Sequence, residues 1–144
     1  MKYRYEYELV THFIKLLPYS YFSENGIINF MTEFNYSGGR TDIVLLKNNK
    51  VYSFEAKISN WRKALDQAYK NTRYSHYSYI LMPEEKFELI QKNISEFTIR
   101  SVGICYIKNE QIICPLFAQK KNPIFPWLEE YAKENIKSTL MVGC

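Results

Sequence analysis

Apolar residues recur at helical spacing between Tyr5 and Leu17: Leu9, Val10, Phe13, Ile14 and Leu17 share a face, and Pro18 ends the pattern, so the stretch predicts a first helix. After a polar turn at Ser23 to Gly26 the period shortens. Ile27 to Phe34 is rich in β-branched and aromatic residues and is broken by Gly38-Gly39, which predicts a strand. Thr41 to Leu46 and Val51 to Ala56 are two more strand-like runs joined by Lys47-Asn48-Asn49-Lys50, where asparagine tolerates the positive φ of a tight hairpin.

Ser59 or Asn60 caps an amphipathic helix reaching about Thr72, with Trp61, Leu65, Ala68 and Thr72 on one face. Tyr77 to Met82 reads as a buried strand stopped by Pro83, and Glu84 to Asn93 as a helix with acids in its first turn. Ser101 to Tyr106 and Gln111 to Cys114 form a second hairpin candidate. If Asn109 and Glu110 make its turn, Cys105 faces Cys114 as a free cross-strand pair. A loop with Pro115, Pro123 and Pro126 precedes a last helix from about Trp127 to Ile136; Pro123, Pro126 and Trp127 read either as a partner surface or, more ordinarily, as a proline-initiated helix that docks Trp127 on the core. The expected order is α-β-β-β-α-β-α-β-β-α, an α/β or α+β fold with a mixed central sheet flanked by helices.

The hairpin register has a chemical consequence. With Asn48 and Asn49 as the turn, Lys47 faces Lys50 and Asp42 falls opposite Glu55, so two carboxylates become cross-strand neighbours with Cβ atoms about 4.5 to 5.5 Å apart. Like charges there destabilise a sheet unless something compensates. Alternation puts Lys57 on the face of Glu55, with Phe54 and Ala56 on the other. Two acids, with the Ala56 carbonyl as a further oxygen, suit Mg²⁺ or Mn²⁺, and a neighbouring amine can orient a water or offset charge on a phosphate. On the helix that follows, Asn60, Ala64, Gln67 and Asn71 share a line, so Gln67 can reach a scissile strand or a metal-bound water. Arg40, Arg62, Lys63, Lys70 and Arg73 lie in or near these elements as candidate phosphate contacts. The bland alternative is a solvated hairpin and a solvated helix face.

Composition narrows the classes. A chain of 144 residues, 47% hydrophobic and 24% charged, fits one globular domain spanning 1–144. No apolar run is long enough for a membrane span and no signal-peptide core follows Met1, so a cytoplasmic location is expected. A net charge of +4 permits phosphate binding without arguing for it. Cys105, Cys114 and Cys144 form no disulfide framework and no zinc pair. Thirteen tyrosines could stack on bases, though half-buried strand and helix positions account for them more simply. His12 and His76 lack partner spacing for catalysis and read as structural or surface residues.

Glu33, then Gly39-Arg40-Thr41-Asp42-Ile43-Val44-Leu45, then Phe54-Glu55-Ala56-Lys57, then Trp61-Arg62-Lys63-Ala64-Leu65-Asp66-Gln67-Ala68 together resemble the PD-(D/E)xK nucleases. The resemblance covers roughly residues 3–83 and leaves the hairpin and helix at about 101–137 outside it. It implies a restriction-endonuclease-like fold, Asp42 and Glu55 as metal ligands, Lys57 as the residue assisting water, Glu33 as the upstream acid and Glu6 as an acid on the first helix. Thr41 stands where the name-giving proline would be. Asn71 stands four residues after Gln67 where the exonuclease-type branch has a tyrosine, so the chain departs from that branch.

The expected function is therefore Mg²⁺-dependent hydrolysis of DNA phosphodiesters, by a homodimer if both strands are cut. The alternative is a catalytically silent nuclease-fold module that binds nucleic acid or a protein. A small transcription regulator would need a recognition helix, and the most basic helix already lies beside the carboxylates.

Overall fold

The computed structural model describes residues 3–24, 26 and 28–139, and the backbone of 141–142. Ile27 and Cys144 lie outside the described residues. Helix α1 (Glu6–Leu16) leads into strands β1 (Ile28–Tyr36), β2 (Gly39–Lys47) and β3 (Lys50–Ala56); helix α2 (Trp61–Lys70), strand β4 (Tyr77–Leu81) and short helices α3 (Phe87–Gln91) and α4 (Ile94–Thr98) follow. Strands β5 (Gly103–Lys108) and β6 (Gln111–Leu116), helix α5 (Pro126–Lys137) and the two-residue strand β7 (Met141–Val142) complete the chain. No helix among the described residues is long and apolar enough to cross a membrane.

The strands form one mixed sheet in the order β6-β5-β4-β3-β2-β1-β7. Strands β3, β4 and β5 run parallel because helices connect them, while the hairpin partners are antiparallel. Both hairpins have the expected two-residue turns: Asn48 and Asn49, and Asn109 and Glu110, all sit at positive φ. In the second hairpin the Cys105 and Cys114 sulfurs are 3.3 Å apart, next to a register shift between Ile104 and Tyr106.

Alternation along the strands separates two cores. Ile43, Leu45, Phe54, Ala56, Tyr79 and Leu81 pack under α1 with Phe13 and Phe22. Val44, Leu46 and Val51 meet α5 through Leu128, Ala132 and Ile136, and Ile80, Met82 and Ile104 meet α2 and α4. Glu55 shares the parity of Val51, so it projects toward the α2 and α5 side.

The structure departs from the sequence pattern at three places. The expected single helix over Glu84 to Asn93 is a 3₁₀ turn at Glu84–Lys86, then α3, then a separate α4 that buries Phe97. Strand β6 runs through Pro115 to Leu116, which an edge strand tolerates because the missing N–H has no ladder partner to satisfy. Trp127 does not dock on the core. It is 63% exposed, and Leu128, Ala132 and Ile136 form the buried face of α5 instead.

A polar contact fixes that helix. The His76 ring accepts the Val51 N–H at Nδ1 (3.0 Å) and meets Glu129 at Nε2 (3.3 Å), while Lys133 Nζ lies 2.7 Å from the same carboxylate. Burial pushes the His76 imidazole down to about 4, although Glu129 opposes the shift, so the ring is neutral and Nε2–H donates to Glu129. His12 is likewise structural, bridging the Tyr3 hydroxyl and Glu110.

Gly103 is tightly enclosed in β5. A Cβ there would lie 2.5 Å from the Ala118 nitrogen and 2.5 Å from Tyr79 Cε1. Gly103→Ala is expected to destabilise the fold by about 1–3 kcal/mol through overpacking, seen as a lower urea midpoint at unchanged slope. An unaltered midpoint would mean that the Ala118 segment yields freely.

Candidate active site

Strands β2 and β3 hold their ladder from Lys47↔Lys50 as far as Ile43↔Phe54. Beyond that pair they separate, and the Asp42 side chain enters the gap, its Oδ2 accepting the Ala56 N–H at 2.8 Å. Glu55 is one residue past the last ladder pair and only 2% exposed. The Asp42 carboxyl, the cross-strand neighbour expected from the turn, is close enough for its charge to act on Glu55.

Two like charges in a buried gap cannot both persist, and the groups respond by holding a proton. Burial, with the Asp42 charge adding to it, pushes the Glu55 carboxyl up to about 8, against the opposing hydrogen bond from Asn71. Burial also raises Asp42, opposed chiefly by the Ala56 N–H. Without a cation, the pair shares one proton at neutral pH, and the environments favour Glu55 as its holder.

Asn71 is the residue that sequence reasoning missed. It follows the last turn of α2, is buried, and donates from Nδ2 to Glu55 Oε2 at 2.7 Å. The Thr41 and Tyr36 hydroxyls donate to its Oδ1 at 3.1 and 3.2 Å, and Thr41 also hydrogen-bonds to the hydroxyl of Tyr74, which is wholly buried. Two donors on Oδ1 leave Nδ2 as the atom that must face Glu55, so the amide orientation is dictated. Thr41 therefore acts through Asn71. The signal available in the sequence was the helical line from Gln67 to Asn71 and the step from Thr41 to Asp42.

Gln67 reaches the same place. It lines a small pocket with Tyr36, Gly38, Gly39, Arg40, Glu55, Lys70 and Asn71, and its Oε1 is buried without a hydrogen-bond partner. An orphaned oxygen in the pocket of Glu55, with the Asp42 carboxyl acting on Glu55 in turn, makes the donor atoms here oxygens, and oxygens fit a hard divalent cation better than a soft one. Among the described residues no three His, Cys, Asp or Glu side chains converge on one point, so an ion here would complete its shell with backbone, water or phosphate oxygens.

The remaining candidates sit around this centre. Glu33 occupies left-handed backbone (φ 53°) and pairs with Arg40 at 3.1 Å, both side chains being exposed. Glu6 and Glu33 line a cleft of 430 Å³ together with Asp42 and Arg40. Lys57 follows the last residue of β3, its N–H still donating to the Leu81 carbonyl at 3.1 Å, and its ammonium lies 3.8 Å from Glu6 Oε1. Its charge still favours ionised Glu55. Lys70 and Arg73 stand over the Gly38-Gly39 turn, whereas Arg62 is engaged by Glu96 at 3.1 Å and lies 4.4 Å from the Trp61 ring centroid. Lys63 is exposed in the first turn of α2.

The raised Glu55 carboxyl makes a signed prediction for protein kept in chelator. Stability contributed by its protonated form is fully present below 4.5, the ordinary value, and is lost as pH rises through about 8. The melting temperature should fall across that window, and Glu55→Gln, which keeps the shape without the ionisation, should flatten the fall. A wild-type profile flat over the same range would show that the pair does not store a proton.

No family model and no curated protein matches the chain. Among solved structures it is similar to SPO1766, a protein of unknown function from Silicibacter pomeroyi, with a TM-score of 0.57 and 14% identity over 77% of this chain and 73% of that one. A fainter similarity, TM-score 0.39 and 13% identity over 75% of this chain and 59% of the other, is to Pyrococcus furiosus SfsA in complex with Ca²⁺. The first likeness concerns the fold alone, and the second is too distant to add to it.

Proposed function

We propose that this chain is a metal-dependent nuclease of the PD-(D/E)xK type that hydrolyses DNA phosphodiesters. One observation carries the reading: Asp42 enters the gap where the β2–β3 ladder ends and acts on buried Glu55, whose pocket also holds the unpartnered Gln67 oxygen. Asp42, Glu55 and the Ala56 carbonyl would hold Mg²⁺ or Mn²⁺, and the chemistry supplied by such an ion is Lewis-acid polarisation of a phosphodiester.

The chain's own groups do the rest. Asn71 fixes the rotamer of Glu55, so its free oxygen needs no reorganisation. Gln67 Oε1 accepts a hydrogen bond from the attacking water. Lys57, held loosely by Glu6 at 3.8 Å, donates to that water or to a phosphate oxygen. Arg40, Lys70 and Arg73 neutralise neighbouring phosphates, Arg62 and Lys63 extend the basic edge along α2, and Glu33 and Glu6 form the acidic wall of the adjoining cleft. A single centre cuts one strand per encounter, so double-strand cleavage calls for a twofold homodimer.

Saturating Mg²⁺ or Mn²⁺ should stabilise the wild-type fold by about 1 to 3 kcal/mol in thermal melts. Asp42→Asn should leave the chelated protein as stable or slightly more so, while abolishing both that shift and DNA cleavage. Lys57→Ala should keep most of the metal shift but lower turnover by about 10²-fold or more. Wild-type protein that shows neither a metal shift nor cleavage, together with an Asp42→Asn variant that unfolds, would make these residues structural and the domain a silent binding module.

A further inference from the structure

The face of α5 that does not pack on the sheet carries unusually large exposed rings. Trp127 is 63% exposed, Tyr131 48% and Phe125 38%, with the Phe125 and Trp127 ring centroids 5.9 Å apart. Trp127, Leu128 and Tyr131 face Asn35, Tyr36 and Ser37 across an open cleft of 580 Å³. The fold does not need these rings outside, since Leu128, Ala132 and Ile136 already bury the helix.

Two features say what the cleft suits. Tyr36 lines both this cleft and the pocket containing Glu55 and Gln67, and its hydroxyl donates to Asn71, so the aromatic surface is continuous with the candidate active site. The join is basic: Arg73 Nη1 and the Tyr36 ring crowd the same point, each 2.9 Å from where a Gly38 Cβ would be, and Lys70 Cε is 3.5 Å from it. The Phe125 N–H donates to the Arg73 carbonyl at 2.9 Å, tying the aromatic segment to the basic one. Neither Arg73 nor Lys70 has an ion-pair partner among the described residues. Aromatic faces beside unpaired cations form the combination that binds unpaired nucleotides, bases stacking on rings while phosphates meet the charges.

We propose that the cleft between Tyr36 and Trp127 seats an unpaired nucleobase, with Arg73 and Lys70 holding phosphates of the same strand on its way to Asp42 and Glu55. Base seating stands on the cleft itself, whereas the path to the carboxyls rests on the nuclease reading. The substrate class is then nucleic acid with a single-stranded stretch next to the scissile bond rather than uninterrupted duplex.

The test is fluorescence anisotropy of full-length protein in chelator, titrated into labelled oligothymidylate and, separately, into a blunt duplex of equal length. Trp127→Ala should weaken oligothymidylate binding about 5- to 150-fold, the loss expected for one stacked base, and Trp127→Phe should restore most of it. Duplex binding should not change, and melting temperatures should match because the ring is exposed. Equal loss on both probes, no loss on either, or no oligothymidylate binding by wild-type protein would overturn the proposal. It is also overturned if Trp127→Ala leaves oligothymidylate affinity intact but converts a dimer to monomers in light scattering, since a second copy then occupies the cleft. The nuclease reading fails separately: stacking that depends on Trp127 with no cleavage in Mg²⁺ sustains this inference and removes that one. Mg²⁺-dependent cleavage with no Trp127 effect on oligothymidylate binding does the reverse.

Discussion

The Glu55 carboxyl sits where water cannot solvate its charge, and the neighbouring structure is arranged around that fact. Removing a carboxylate from water costs several kcal/mol unless partners replace the lost hydration. Here they are the Asn71 amide on one side and the Asp42 carboxyl on the other. Asn71 can serve only if its own oxygen is satisfied, hence Thr41 and Tyr36, and Thr41 is held in turn by buried Tyr74. The chain of dependence crosses β1, β2, β3 and the end of α2. The arrangement is satisfied with one proton in it, and a divalent cation is the other species that could relieve the paired charges once that proton leaves.

Much of this site was legible because it depends on local rules. Asn48-Asn49 sets the hairpin turn, the turn sets the register, and the register brings Asp42 to Glu55; the same arithmetic brought the Cys105 sulfur to Cys114. Asn60 capping and the spacing of Trp61, Leu65 and Ala68 likewise located α2. Alternation and helical period speak only of neighbours along one element, however. Asn71 contacts Glu55 across a helix–strand interface, and in sequence it reads as an ordinary polar helix end. Lys57 stands one residue past β3, and its contact with Glu6 on α1 is likewise one that alternation along a single strand cannot foresee. Glu33 gave no warning of its left-handed backbone, a conformation that a carboxylate residue adopts only where the surroundings enforce it.

Outside the site, the mistaken expectation for Trp127 shows where hydrophobicity alone misleads. A tryptophan just after a helix-initiating proline reads as an anchor, yet its neighbour Leu128 takes that role. Leu128 lies in line with Ala132 and Ile136, and the polar side of the interface agrees with that choice. At about 100° per residue, Glu129 and Lys133, four apart, share one face, while Trp127, two residues before Glu129, points nearly opposite and shares its face with Tyr131. The Glu129 carboxylate is fixed by both His76 and Lys133. Turning α5 to bury Trp127 would carry Glu129 and Lys133 together away from His76 and bring Leu128, Ala132 and Ile136 out of the core. Burying one more indole would return roughly 1.5–3 kcal/mol. That gain does not offset the exposure of three buried apolar side chains and the lost His76 contact. The apolar face and the Glu129–His76 contact thus agree on one orientation of α5, and an exposed aromatic face beside Tyr36 follows from it.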